Sequence, residues 1–439
     1  MNIQFHPSAA NNFNNKAVEL LQLVQPAPHM QSRTSKFFSE RYVSASFDES
    51  NIIGDIESSK CDHKGNIVER LFNFNGEKFT INNYREVNKL AEAIQSTSLC
   101  RDKLSFSFIE QNLFAWIKDT FKKNHELNFT TFFIEKALLN IKKFTFFTPI
   151  SNLHVEESFK ICSSEIRTIK QEHFDEMQST SALPKEKITK FRKEYQGLAC
   201  VVTDVEAEPD YALDVALEEA KKVVSVLAIF SRATLIPDIR CMSQIKGLEN
   251  IKTVTSFIGL GGKTPTFSSQ MLDTASMEPW FLSKIEVEEL KKIGIEKVSK
   301  LITTNQLNNF KESVLNSLML YSKSAFTAEP LDKLVFMLSS LESLLLKSAN
   351  EPIQQNLAER MAIFSQRNLT DRKNLIKTTR SVYALRSNYL HHGKNSEDTE
   401  IIEKFMKFVC LFYMTLLQNI DRYDTKEEFI NAIDDHKMS

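Results

Sequence analysis

Glycine, proline and paired cysteines are scarce in this chain of 439 residues. It contains 10 glycines and 11 prolines, so few of its loops can turn tightly or hold a phosphate with backbone N–H groups. Its six cysteines include no Cys-x-x-Cys pair, which argues against a zinc site and against a disulfide framework. We therefore expect the cysteines to be small buried side chains in a reducing compartment.

The chain also lacks an excess of charge and a long apolar segment. Lys and Arg number 55 against 56 Asp and Glu, which leaves only a local basic patch for contacts with nucleic acid. Residues 1–15 lack the basic start and apolar run of a secretory signal. The most apolar stretch, Phe405–Leu417, contains Lys407 and is too short to span a bilayer. The expected protein is soluble and cytoplasmic, with no membrane partner.

The apolar pattern divides the chain into three segments. Residues 1–65 look loosely organised, apart from a short amphipathic helix predicted over Lys16–Val24. Residues 66–300 alternate strand and helix patterns and predict an α+β domain of unknown role with antiparallel strands. Residues 301–439 predict a helical bundle. The expected fold class is therefore α+β, a mixed α/β N-terminal region followed by an all-α C-terminal bundle.

Individual elements follow from the same periodicities. Strands are predicted over Ile67–Phe74 and Lys78–Asn82, joined by Asn75-Gly76, and over Lys143–Ile150, Phe159–Ile169, Leu198–Val205, Arg240–Lys246 and Lys252–Leu260. Helices are predicted over Tyr84–Gln95, Phe106–Lys123, 210–230, Val287–Ile302, Gln306–Phe326, Leu331–Ser348, Pro352–Ser365, Asp371–His391, Thr399–Asn419 and Lys426–Asp434.

Arg386 departs from the pattern of the predicted helix Asp371–His391. At about 100° per residue it falls in the middle of the arc that holds the apolar side chains of the helix. A buried guanidinium needs a partner, because it cannot lose its proton. Glu342, the only acid within Ser339–Leu346, could supply a structural ion pair. A phosphate would fill the same role at an anion site.

Two histidines end this helix just before Gly393. His391 lies in the last turn, where the helix dipole favours a protonated imidazole by ~0.5–1 kcal/mol. It could donate a proton or contact a phosphate, or it could simply complement the dipole. His391 lies about 140° from Arg386 on an ideal helix. The two meet at one phosphate only if the helix end distorts, the arginine reaches round or a second subunit supplies the other half.

The segment from Tyr383 to Gly393 resembles the signature of the Apea-like branch of the HEPN superfamily, whose domains are helical bundles with an Arg-x4–6-His motif. Ser340–Leu344 and Leu357–Ala362 resemble the acidic first helix and the middle helix of that family. The resemblance covers about residues 305–425. It implies a metal-independent endoribonuclease that needs no cofactor, in which the 2′-OH of RNA attacks the adjacent phosphate and leaves a 2′,3′-cyclic phosphate.

The same resemblance implies roles for individual residues. Arg386 would neutralise the charge that develops on the phosphate, and His391 would act as general acid or base. In the family the site usually forms between two copies, so a homodimer through the helical bundle is expected. RNA-binding or accessory roles fall to Ser387, Asn388, Tyr389, His392 and Glu342.

The biological role that the resemblance implies is a toxin-like or anti-phage effector, with the N-terminal region sensing a phage or host trigger. Many catalytic members carry Asn, Asp or His directly after the arginine, where this chain has Ser387; Asn388 could substitute. Some members do not cleave RNA. The alternative function is therefore a non-catalytic dimerisation or RNA-binding module.

Three other patterns have structural explanations. Phe257–Thr264 resembles a phosphate loop but has Phe where the first glycine is required, and no helix pattern follows it. The acidic cluster of Asp204, Glu206, Glu208 and Asp210 suits a strand–helix connection with favourable first-turn charge better than a metal site. The basic run Lys185–Lys193 is typical of a solvated helix face, although it could touch RNA.

Overall fold

The computed structural model places the whole chain and describes residues 4–27, 42–43, 59–61, 67–74, 77–121, 128–180, 184–248, 255–259, 266–270, 279–348, 350–393 and 398–438. These residues form an α+β protein, as predicted. They divide into two compact units, Met1–Phe144 with Asp204–Val215, and Thr145–Thr203 with Ala216–Ser439. The boundaries proposed at 65 and 300 rest on sequence pattern, and they stay a prediction beside this division by packing.

The first unit begins with a helix and a five-stranded sheet. Its elements are α1 Pro7–Leu21, β1 Val24–Pro26, β2 Tyr42–Val43, β3 Ser59–Cys61, β4 Ile67–Phe74, β5 Glu77–Asn82, α2 Arg85–Gln95, α3 Phe106–Thr120 and α4 Phe129–Asn140. The strand order is β1-β5-β4-β3-β2, and each pair is antiparallel. The predicted hairpin of β4 and β5 is confirmed; Asn75 and Gly76 lie outside the described residues.

Helix α1 corrects the prediction for the N-terminal segment. It begins at Pro7 rather than Lys16, because proline fits the first helical position without losing a hydrogen bond. Phe13, Ala17 and Leu20 bury its inner face. Aromatic rings fill much of the core that it joins, with edge-to-face contacts such as that of Phe72 with Phe114, whose centroids are 5.8 Å apart.

The second unit contains a second five-stranded sheet. In chain order the next elements are β6 Lys142–Ser151, β7 Leu153–Val155, β8 Phe159–Ile161, β9 Ser164–Thr168, α5 Gln171–Thr180, α6 Lys185–Tyr195, β10 Ala199–Ala207, α7 Pro209–Ile229, a 3-10 turn at Arg232–Thr234, β11 Gln244–Ile245, β12 Thr255–Gly259, β13 Thr266–Gln270 and β14 Trp280–Leu282. The sheet order is β11-β6-β10-β9-β8, and β12 pairs with β13.

Three features of these strands differ from the sequence predictions. Phe159–Ile169 is a hairpin of β8 and β9, and Cys162 between them has the left-handed φ of 55° that a tight turn requires. The strand predicted over Arg240–Lys246 is reduced to Gln244–Ile245. Strands β7 and β14 pair in parallel, whereas antiparallel pairing was expected.

Eight helices complete the described chain, and they form the expected all-α region. They are α8 Lys284–Ile293, α9 Ile295–Thr303, α10 Asn309–Ser324, α11 Pro330–Leu345, α12 Ile353–Ser365, α13 Leu369–His392, α14 Thr399–Gln418 and α15 Lys426–Met438. Their core is continuous with that of the second sheet. The single helix predicted over Val287–Ile302 is wrong: Gly294, with φ of 121°, separates α8 from α9.

The apolar character of these helices reflects packing between them. Helix α14, which contains the stretch Phe405–Leu417, buries Phe405, Val409, Phe412 and Leu416 in the common core. Among the described helices, none is both long enough and apolar enough to cross a membrane.

The cysteines whose side chains are described are free thiols. Cys100, Cys200 and Cys241 are buried, while Cys162 and Cys410 are partly buried. Burial raises the pKa of the Cys241 thiol to about 11, which keeps it protonated and unreactive at neutral pH. These five therefore behave as the small apolar side chains that their spacing predicted.

Candidate functional site

Helix α13 carries the Arg386–His391 motif between two well-defined caps. The side chain of Asn368 accepts a hydrogen bond from the N–H of Asp371 at the start of the helix. Gly393 ends it in the left-handed conformation, with its N–H donating to the carbonyl oxygen of Tyr389 at 2.9 Å. The helix predicted over Asp371–His391 is therefore confirmed, and its C-terminal end fixes where the histidines lie.

Arg386 occupies the inward side of α13 but is not sealed in the core. Leu375, Thr379 and Val382 on the preceding turns are buried, and Arg386 continues the same face at helical spacing. Its side chain keeps 26% of its surface exposed. The arginine thus lies at the edge of the apolar face, where the guanidinium can reach solvent.

The partner of Arg386 is the acid that the sequence offered for a structural ion pair. Nη1 of Arg386 lies 3.5 Å from Oε1 of Glu342 on α11, which is a long contact for a charged pair. The hydroxyl of Tyr383 donates to the same oxygen at the shorter distance of 2.9 Å. Nε of Arg386 is buried and has no hydrogen-bond partner. Glu342 is therefore held chiefly by Tyr383, and Arg386 is only partly satisfied.

A second tyrosine–carboxylate bond joins the same two helices. The hydroxyl of Tyr389 donates to Oδ1 of Asp332 at 2.9 Å. Because Tyr389 meets the start of α11 while Tyr383 meets a residue near its end, α11 and α13 run antiparallel. The two bonds flank Arg386 and fix the position of its backbone on the seam between the helices.

Both tyrosines are hydrogen-bond donors at neutral pH. Burial, together with the neighbouring carboxylate of Glu342, raises the pKa of Tyr383 well above its usual range. The hydrogen bond to Asp332 raises the pKa of Tyr389. The seam consequently presents one guanidinium beside two carboxylates, and an anion that approaches Arg386 must compete with Glu342.

The remaining residues of the motif face solvent. Ser387, Asn388, His391 and His392 are exposed along the last two turns of α13. Among the contacts of the described residues, no hydrogen bond or ion pair links either histidine to Arg386. One chain therefore places Arg386 on the same seam as Glu342, Tyr383, Tyr389 and Asp332. It does not bring Arg386 into contact with His391.

Arg360 on α12 shows how this protein satisfies an arginine in a structural role. Its Nε and Nη2 bind the two carboxylate oxygens of Asp434 at 2.9 and 3.0 Å, and its Nη1 donates to the carbonyl oxygen of Leu345 at 2.7 Å. Glu351 contacts the same guanidinium at 3.0 Å, and the side chain is 7% exposed. The contrast marks Arg386 as an arginine with spare binding capacity.

The sequence did not single out Asp332 or Tyr383 as site residues. Tyr383 shares the face of Arg386 because it lies one turn earlier on α13, so its position on the helix was a usable signal. Asp332 lies on a different helix, and no pattern within one helix identifies its partner. The antiparallel packing of α11 and α13 is what brings it to Tyr389.

The other acidic and basic patterns have structural roles. Glu208 is buried and caps α7, accepting from the N–H groups of Asp210 and Tyr211 at 3.0 and 2.8 Å. Lys103 pairs with Glu206, and Arg192 of the basic run pairs with Asp175.

Thr266–Gln270, which follows the phosphate-loop-like segment, is a strand rather than a helix, as its pattern predicted. Residues 260–265 of that segment lie outside the described residues, and β13 comes next. A phosphate loop requires a helix N-terminus at this point, because the helix supplies the N–H groups and the dipole that bind the anion.

Comparison with known proteins adds no second line of evidence. No family model, curated protein or solved structure matches this chain. Within the described residues, no group of three or more His, Cys, Asp or Glu side chains is arranged to hold a metal ion. The HEPN resemblance and its chemistry therefore rest on the motif and on the geometry around Arg386.

Proposed function

We propose that the helical region is a HEPN-type, metal-independent endoribonuclease, with Arg386 binding the scissile phosphate and His391 acting as general acid or base. The observation that carries this proposal is the incomplete satisfaction of Arg386. Its side chain is a quarter exposed, its buried Nε has no hydrogen-bond partner, and its one ion pair among the described residues is 3.5 Å long. A phosphate offers the pair of acceptors in one plane that a guanidinium fork prefers.

The contrast with Arg360 argues against a purely structural arginine. Arg360 has a bidentate carboxylate, a second acid and a carbonyl group as its partners. Among the residues that the structure describes, Arg386 has one distant carboxylate oxygen as its partner. In the proposed reaction the RNA phosphate displaces Glu342 from Arg386, while Tyr383 continues to hold that carboxylate.

The exposure of His391 suits a group that exchanges protons with substrate. It lies in the last turn of α13, and its side chain faces solvent. Because it lies about 140° from Arg386 around the helix, one chain supplies only half of a site. We propose that a second copy supplies the other half in a homodimer of the helical region.

The surface beside the motif suits such a dimer. Leu390, between Tyr389 and His391, is 52% exposed and offers an apolar contact next to the motif. Burial of a leucine between two copies contributes about 1.5–3 kcal/mol. The proposed protein is thus a cytoplasmic, dimeric RNA-cleaving effector of the toxin or anti-phage type, triggered by a phage or host component through its N-terminal region.

The test is cleavage of total RNA by the purified full-length protein in EDTA, both alone and with lysate of phage-infected cells as the source of the trigger. Arg386→Ala and His391→Ala are compared with Lys377→Ala, which removes a positive charge from the exposed side of the same helix. The expected result is 2′,3′-cyclic phosphate ends from the unmodified protein and from Lys377→Ala. Each site variant should lose about 100-fold or more in rate, the contribution usual for general acid–base catalysis.

The second candidate is a non-catalytic dimerisation or RNA-binding module. The two carboxylates on the seam favour the dimerisation role, because Asp332 and Glu342 repel RNA phosphates near Arg386. Size-exclusion chromatography and RNA-binding measurements on the same four proteins separate the candidates. A dimer that binds RNA but produces no cyclic-phosphate ends with any variant overturns the ribonuclease and supports the module.

A further inference from the structure

A cavity of about 300 Å³ lies beside strand β14, at a distance in sequence from the Arg386 motif. None of its lining residues belongs to α11 or α13, so it is not part of the candidate ribonuclease site. Its wall combines aromatic, cationic and polar side chains, among them Asn152, Arg232, Arg240, Trp280, Phe281 and Glu286. Polar groups of this variety converging on a concave, partly apolar surface are typical of a small-molecule site.

The aromatic part of the wall comes from β14. This strand pairs in parallel with β7, which places Trp280 opposite Leu153 and Phe281 opposite His154. Trp280 is partly buried against the core, whereas Phe281 is 55% exposed. Within the described part of the chain, neither ring packs against another aromatic ring. Both rings line the cavity, and the exposed ring of Phe281 is of the kind on which a planar ring stacks.

The cationic part comes from the segment that follows α7. Arg232 is exposed, and its guanidinium has no ion pair or hydrogen bond among the described residues. Arg240 is partly buried, and burial lowers the pKa of its guanidinium. One carboxylate, Glu286, shares the wall, but its Oε2 accepts from the N–H and hydroxyl of Ser283 at the start of α8. Arg232 is therefore the cation of the wall that is open to an anionic ligand.

Lys333 holds this segment in place from behind. The lysine is fully buried, and its Nζ donates to the carbonyl oxygens of Ala233 at 2.8 Å and Ile236 at 3.2 Å, and to that of Ile239. All three ammonium hydrogens are thus used on the backbone between Arg232 and Arg240. This backbone is therefore ordered before a ligand binds, and only the two arginine side chains have to be ordered on binding.

We propose that this cavity binds a nucleoside monophosphate or a close analogue, with the base against Trp280 and Phe281 and the phosphate between Arg232 and Arg240. A volume of about 300 Å³ lies at the lower end of the range for small-ligand sites, which suits one nucleotide and excludes an oligonucleotide. The site differs from the phosphate-loop-like segment near residue 260, because it uses side chains rather than a glycine-rich backbone.

Calorimetric titration of the full-length protein tests the proposal. The ligands are AMP, GMP, CMP and UMP, with adenosine and inorganic phosphate as the two halves of the ligand. We expect saturable binding of at least one nucleotide below about 1 mM, and binding of each half at least about tenfold weaker. Arg232→Ala and Trp280→Leu should each weaken nucleotide binding about tenfold or more.

Two control variants separate this site from general effects. Arg367→Ala removes an exposed arginine outside the cavity, and Arg386→Ala alters the candidate ribonuclease site; both should leave nucleotide affinity unchanged. Circular dichroism confirms folding, and a change at the exposed Arg232 leaves the core intact. The proposal is overturned by an absence of saturable binding, by binding that Arg232→Ala and Trp280→Leu leave unaltered, or by phosphate binding as tightly as the nucleotide.

Discussion

Glu342→Gln separates the two roles that Glu342 has on the seam between α11 and α13. Glutamine keeps a carbonyl oxygen for the hydroxyl of Tyr383 but removes the charge that faces Arg386. Replacing a charged acceptor by a neutral one weakens a hydrogen bond by about 1 kcal/mol. Loss of the partly exposed ion pair, at 3.5 Å, costs ~0–1 kcal/mol more. We therefore expect a total loss of stability of about 1–2 kcal/mol and a fall of a few degrees in the thermal midpoint.

The same substitution should strengthen RNA binding. With Glu342 neutral, an RNA phosphate no longer competes with a carboxylate for Arg386. Removing a competitor worth up to about 1 kcal/mol tightens binding by up to about fivefold. Fluorescence anisotropy with a labelled single-stranded RNA measures this change. Glu403→Gln is the matched control, because it removes one acid from an exposed ion pair with Lys407 on α14.

Tyr383→Phe keeps the charge of Glu342 and removes its hydrogen bond instead. It removes the 2.9 Å hydrogen bond but leaves the charge of Glu342 beside Arg386. We expect a similar loss of stability, about 1–2 kcal/mol, with no gain in RNA affinity. If Glu342→Gln instead leaves RNA affinity unchanged in a folded protein, phosphate does not displace Glu342, and the role assigned to Arg386 fails. A loss of stability above about 4 kcal/mol in Glu342→Gln would show that Arg386 is a sealed structural arginine.

Three further predictions concern the described core. Burial lowers the pKa of Lys333 from 10.5 to about 8, so between these pH values the unfolded state binds the proton more tightly than the folded state does. The free energy of unfolding of the unmodified protein should therefore rise by about 3 kcal/mol, relative to that of Lys333→Met, as pH rises from 8 to 10.5. A difference between the two proteins that is independent of pH contradicts the burial. Gly294→Ala should lower the free energy of unfolding in urea by about 1–3 kcal/mol. The backbone at Gly294 has φ of 121°, and an added Cβ would lie 3.1 Å from a side-chain carbon of Leu417. Arg360→Met should cost about 1.5–3 kcal/mol, because the partly buried Asp434 and Glu351 lose their shared guanidinium but keep Lys347 and Asn356 as partners. Arg386→Met should cost about 1 kcal/mol or less, and equal losses would contradict the contrast between the two arginines.

Local signals account for the elements that the sequence predicted well. The 3.6-residue period and Gly393 give α13 its end, because a glycine that accepts the left-handed conformation terminates a helix wherever it occurs. The strand patterns of Ile67–Phe74 and Lys78–Asn82 also predict a hairpin from local signals, because the two strands lie close together in the chain. The α+β fold class and the position of Arg386 on its helix follow from such patterns.

Partners that lie far apart in the chain could not be predicted from these patterns. The parallel pairing of β7 with β14 joins residues more than a hundred positions apart, and the period within one strand carries no record of its neighbour. Lys333 is the clearest case, because a lysine in an apolar helix pattern is expected to face solvent. It is buried instead, since three backbone carbonyls from residues 233–239 replace the water around its ammonium group.

Helix α11 connects the two sites that we propose. Two consecutive residues of α11 contact the two sites. Asp332 accepts a hydrogen bond from Tyr389 on the seam, and Lys333 donates to the backbone between Arg232 and Arg240. A nucleotide that draws Arg232 and Arg240 together acts on that backbone, hence on Lys333 and on the position of α11. Any shift of α11 moves Asp332 with it.

This connection is measurable, because any effect of one ligand on the affinity of the other must be matched by a reverse effect of the same factor. In the non-cleaving variant His391→Ala, we expect the nucleotide to change RNA affinity, and RNA to change nucleotide affinity, by one common factor of about 5-fold or more. Lys333→Met should bring that factor towards one while each ligand still binds alone. A factor of one in the His391→Ala protein itself would show that α11 holds the two sites independently.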